Sequence, residues 1–157
     1  MQYIYRERNV VIMYKALDIA YKIIKSASNN DAGELVSNLK LQKLLYYQQG
    51  FHLAYYGEPL FEEDIEAWLY GPVVPSVYDH FKSYGNKGIE HSGEIIALSG
   101  TYEEALFNEV NKIYGSYSAI GLMEMTHQET PWKTTEVGVG NIISKDILKT
   151  FFKKRLK

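Results

Sequence analysis

Ser37-Asn38-Leu39-Lys40-Leu41-Gln42-Lys43-Leu44-Leu45-Tyr46-Tyr47-Gln48-Gln49-Gly50-Phe51-His52-Leu53-Ala54-Tyr55-Tyr56-Gly57 decides the fold class. Ser37 is a helix N-cap residue, because its hydroxyl can accept from the first free backbone N–H groups. Leu41, Leu44, Leu45, Gln48, Phe51, His52 and Tyr55 fall along one broad helical face. Gly57 supplies a C′ residue that turns left-handed at little cost. Gly50 in mid-helix costs about 1 kcal/mol against Ala, and a close helix crossing is the reading that explains it. The stretch therefore predicts one long helix.

The same 3.6-residue period marks other helices on either side. Ala16, Leu17, Ala20, Ile23, Ile24 and Ala27 predict one before it, followed by a polar loop through residues 29–33. Pro75 starts another, carrying Val77, Tyr78, Phe81 and Tyr84. Thr101-Tyr102-Glu103-Glu104 reads as a capping box ahead of Leu106, Phe107, Val110, Ile113 and Tyr114. Short helices are predicted from Ser118 to about Thr126, with Pro131 as a stop, and after Ser144 through Phe152. Residues 65–70 and 94–98 read as short β elements. The expectation is a mainly α single compact domain of five to six helices. Residues 1–12 stand outside this periodicity and read as an N-terminal extension to a domain spanning 13–157.

Composition narrows the function classes. A chain of 157 residues with 46% hydrophobic residues can bury a real core. It has no cysteine, which removes disulfides, thiolate metal sites and thiol nucleophiles together. No apolar run approaches the roughly 20 residues of a membrane span, and the start lacks the apolar stretch of a secretory signal. The expectation is a soluble, cytoplasmic protein with no membrane contact. Lys and Arg number 17 against 19 Asp and Glu, so the basic excess of a non-specific nucleic-acid binder is missing.

Most catalytic signatures fail. There is no nucleophile elbow and no P-loop. Gly138-Val139-Gly140 begins a dinucleotide fingerprint, but position 143 is Ile. His127-Gln128-Glu129 lacks the cysteines a deaminase zinc needs, and Glu124 with His127 lacks the second Glu-x-x-His of a di-iron bundle. No catalytic, metal or cofactor residue is assigned. The carboxylates of Glu58, Glu62, Glu63, Asp64 and Glu66 are crowded, which suits either a solvated loop or a basic partner. There are 14 tyrosines. The pairs Tyr46/Tyr47 and Tyr55/Tyr56 are adjacent, so each pair is expected to split between faces and place some rings at the surface.

Three segments carry a resemblance: Leu39 to Tyr47 (LKLQKLLYY), Ile65 to Pro75 (IEAWLYGPVVP) and Met125 to Trp132 (MTHQETPW). In that order, after a leading helix, they resemble the Panacea domain family, the SocA-like antitoxins, which include phage-associated GepA-like proteins. The resemblance rests on Leu41, Gln42, Lys43, Leu44, Tyr46, Ala67, Trp68, Gly71, Pro72, Thr126, His127, Pro131 and Trp132, and it covers the chain from Met13 to the last helix. It implies a mostly helical antitoxin, often prophage-associated, that neutralises a cognate toxin encoded by an adjacent gene through protein–protein binding; it implies no known catalytic activity, and the chain is not expected to be an enzyme. Glu62, Glu63 and Asp64, with Tyr47 and Tyr56, are the expected toxin contacts. A homo-oligomer is compatible with this. Two alternatives stay open: a nucleic-acid-binding regulator joining Lys40, Lys43 and the C-terminal lysines, or an enzyme using His127 and a nearby carboxylate.

Overall fold

The computed structural model describes residues 2–6, 9–28, 34–100 and 102–156. The chain opens with an antiparallel hairpin of β1 (Gln2–Arg6) and β2 (Asn9–Met13). Helices α1 (Ala16–Ser28) and α2 (Asn38–Tyr56) follow. A second antiparallel hairpin joins β3 (Glu66–Trp68) to β4 (Gly71–Val73). Then come α3 (Pro75–Phe81), a 3₁₀ turn (Lys82–Tyr84), α4 (Glu103–Tyr114), α5 (Ala119–His127), the single-turn α6 (Thr130–Lys133) and α7 (Lys145–Lys153). The fold is mainly α. No helix among the described residues is long and apolar enough to cross a membrane.

Helix α2 is the axis of the molecule. Every residue from Leu41 to Gly50 is buried, polar ones included. Around it pack α1, α3, α4, α5, α7 and β4. Ser37 caps it by accepting from the Lys40 N–H at 3.3 Å. Gly57 closes it at φ 77°, its N–H donating to the Leu53 carbonyl at 2.8 Å. Gly50 is where α7 crosses: a Cβ there would collide with the Phe152 ring.

This central position corrects one expectation. Tyr46 and Tyr47 do not split between an inner and an outer face; both are 0% exposed. A helix surrounded on all sides has no outer face to offer them. Tyr55, one residue before the end of α2, does reach solvent, while Tyr56 is half-buried.

The expected strand at 94–98 is absent. Among the described residues no strand pairs with it, and side chains take its backbone groups instead. Leu98 N–H donates to Glu104 Oε1 at 2.8 Å, and Lys22 Nζ donates to the Ile96 carbonyl at 2.9 Å. The other expected β element forms a hairpin rather than one strand through residue 70, with Leu69 and Tyr70 at its turn. Pro131 does stop α5, but it then sits in the first turn of α6, where a missing N–H costs nothing. That turn raises the count to seven α-helices among the described residues. Hairpin β1–β2 carries no helical period, which is why it read as an extension. The loop at 29–33, Thr101 of the capping box and Lys157 lie outside the described residues.

Candidate functional site

The first half of α2 brings the three distinctive segments to one place. Gln42 Oε1 accepts from the Val74 N–H at 2.9 Å, and its Nε2 donates to Asn38 Oδ1 at 2.9 Å. Lys43 is 0% exposed, and its Nζ donates to the Pro72 carbonyl at 3.1 Å. Burial pulls its ammonium down to about 7, because the charged form loses its water shell. Gly71, at φ 107°, lies over that amine. A Cβ there would stand 2.7 Å from Lys43 Cε and 2.9 Å from Thr126 Oγ1. Only glycine lets the hairpin approach α2 and α5 this closely.

The third segment joins the other two. Trp132 Nε1 donates to the Trp68 carbonyl at 2.8 Å, and the His127 ring stacks on Trp132 with centroids 4.1 Å apart. Thr126 Oγ1 donates to the Met123 carbonyl at 2.8 Å. Pro131 is buried, as are Leu41, Leu44 and Ala67. Trp68 and Trp132 are half-buried.

Glu129, inside the same segment, is 3% exposed. Its carboxylate accepts from Tyr46 Oη at 3.0 Å and from Tyr47 Oη at 3.0 and 3.1 Å. Arg155 Nη1 pairs with it at 2.8 Å. Burial raises the Glu129 carboxyl, opposed by Arg155 and the two hydroxyls. Burial and the same carboxylate push both phenols up. In the sequence Glu129 enters only as part of His127-Gln128-Glu129, and Arg155 is not assigned a role. No spacing in the sequence marks Glu129 as buried; only the fold brings Tyr46, Tyr47 and Arg155 to it.

The remaining expected site residues divide. Glu63 Oε2 accepts from the Ala16 N–H at the start of α1 at 2.9 Å. Asp64 pairs with Lys145 at 3.0 Å. Glu66 Oε1 accepts from Trp68 Nε1 at 2.9 Å and from the Gly140 N–H at 2.7 Å. The crowded carboxylates thus hold elements together, with Glu62 exposed among them. Tyr47 lies in the core and cannot meet a partner at the surface, contrary to the expectation for it. The basic stripe does not assemble either, since Lys43 is buried and Lys40 Nζ donates to the Gly115 carbonyl at 2.8 Å. Glu129, the motif carboxylate near His127 in sequence, is held by Tyr46, Tyr47 and Arg155.

Beside the interlocked segments a groove of about 780 Å³ opens. Its floor is the first turns of α2, from Ser37 to Lys43, and its walls are the β3–β4 turn, Tyr78 and Lys82, and the stretch 137–139. Sequence reasoning missed it, because its walls come from three distant parts of the chain.

The family model described as "Antitoxin SocA-like, Panacea domain" matches residues 41–133, which span all three segments. Among curated proteins, the chain is similar to Antitoxin SocA of Caulobacter vibrioides (strain NA1000 / CB15N). The two are 32% identical over 136 residues, covering 75% of this chain and 72% of that protein. No solved structure matches.

Proposed function

The chain belongs to the SocA-like antitoxin family with a Panacea domain, and from that premise we propose that it neutralises a cognate toxin by binding it directly. The toxin is the product of an adjacent gene, often on a prophage, and the two proteins meet in the cytoplasm. The chain acts by contact and not by catalysis. Family membership is the observation that carries this reading.

The geometry supports it in one respect. The polar residues of the motifs, Gln42, Lys43, Glu129 and the hydroxyls of Tyr46 and Tyr47, are committed to partners inside the fold. What they build is a scaffold, and a scaffold of this kind serves by presenting a surface.

Co-expression tests the proposal. The adjacent gene, induced alone, should arrest growth, and induction together with this chain should restore it. Persisting arrest, with both proteins present at equal levels, would overturn the reading.

A further inference from the structure

We infer that the groove beside α2 is the seat for a segment of the toxin in which an Asp or Glu side chain is flanked by apolar ones; this rests on the antitoxin reading and locates its interface. Four side chains around the groove are apolar and unusually open: Leu69 is 64% exposed, Tyr70 63%, Val137 42% and Val139 82%. Such residues cost solubility and are common where a partner covers them.

The walls are held in place before any partner arrives. Gly138 N–H donates to the Ala67 carbonyl at 2.8 Å, and Ala67 N–H donates to the Asn141 carbonyl at 2.9 Å. Glu66 ties Trp68 to Gly140. The Trp68 and Tyr78 rings meet edge to face at 5.1 Å. A groove fixed in this way spends little binding free energy on ordering itself.

Its charge selects the occupant. Among the described residues its lining holds no Asp or Glu, and its exposed cation is Lys82. Lys82 stands at the rim, two-thirds exposed, only loosely paired with Asp79 at 3.9 Å. Lys43, 0% exposed and bonded to the Pro72 carbonyl beneath the floor, adds no surface charge. The first turn of α2 adds the partial positive charge of a helix start. A carboxylate among apolar groups complements this surface. A second copy of the chain does not: a two-fold contact through the same groove would set one lysine-bearing wall against another.

The test uses the full chain and the purified toxin from the adjacent gene, with affinity measured by calorimetry. Leu69→Asp and Val139→Asp should each weaken binding roughly tenfold or more, as loss of an interface anchor does. Lys82→Glu should weaken it at low salt and less at high salt. Tyr55→Asp, at the far end of α2, should bind like the parent and serves as the control. Matching thermal midpoints would show that these exposed positions leave the fold intact. A photoreactive side chain at position 70 should cross-link to a toxin peptide carrying Asp or Glu between apolar residues. Parent-like binding by every groove variant would overturn the groove and leave the antitoxin reading standing. A cross-linked peptide without an acidic residue would overturn the chemistry assigned to it. A dimer of the chain that Leu69→Asp dissolves, with toxin binding unchanged, would assign the groove to a second copy. A parent that binds no toxin would overturn both.

Discussion

At the scale of single residues, the buried polar groups near α2 set the stability of the protein. Glu129→Ala would leave Arg155 and two phenols facing an empty site. Breaking a fully buried ion pair from one side costs about 3–5 kcal/mol; Arg155 is 35% exposed, so urea midpoints should fall by somewhat less than that equivalent. Tyr47→Phe removes one of two hydroxyls on the same carboxylate and should cost only about 1–2 kcal/mol. Lys43 makes a pH-dependent prediction. Its folded value, about 7, lies below its unfolded one, so between pH 7 and about 10 the unfolded chain binds the extra proton. Stability from this group therefore rises with pH across that window and is flat below it. Lys43→Met lacks that rise, so its stability relative to the parent should decline from pH 7 to pH 9. Urea midpoints at pH 6, 7.5 and 9 decide this, and parallel pH profiles would contradict it. His127 and Trp132 were legible as a motif but not as a ring stack, because no spacing rule encodes which rings meet after a proline turn.

Among the elements, the crossing of α2 and α7 is the joint to test. Gly50→Ala puts a methyl group into the Phe152 ring and should destabilise by about 1–3 kcal/mol, despite Ala's better helix propensity. Adding Phe152→Ala should cost less in the Gly50→Ala background than in the parent, a coupling that a double-mutant cycle measures. Simple additivity would mean that the helices do not meet there. The joint was half legible: Gly50 in mid-helix announced a close approach, while its partner Phe152 lay a hundred residues away. The six longer helices were legible because their apolar residues repeat with helical period and their ends carry Ser37, Ser118, Ser144 and Gly57. The segment 94–98 was not, since a short apolar run cannot say whether a strand partner exists. Tyr46 and Tyr47 were misread for a related reason. An adjacent pair splits on a helix with one wet face, and α2 has none from Leu41 to Gly50.

For the whole molecule, the first question is what holds the N-terminal hairpin. Tyr14 N–H donates to the Leu60 carbonyl at 2.8 Å, and Tyr14 pairs in parallel with Phe61, so the chain joins the core just after residue 12. Removing residues 1–12 should therefore leave the thermal midpoint within about 8 °C of the parent. A larger fall, more than roughly 2–4 kcal/mol for a chain of this size, would make the hairpin part of the core. The groove is a property of the whole fold: residues near 37, 70, 82 and 138 become neighbours only once α2 is enclosed. The acidic stretch drew the eye in the sequence because it is contiguous, yet Glu63, Asp64 and Glu66 act as internal ties. The central claim is neutralisation by direct contact. Size-exclusion chromatography with light scattering, on the purified chain mixed with the purified adjacent-gene toxin, tests it most directly. The account predicts a single new peak whose mass is the sum of both chains in a fixed ratio; two unshifted peaks, under conditions where co-expression protects cells from the same toxin, would contradict it.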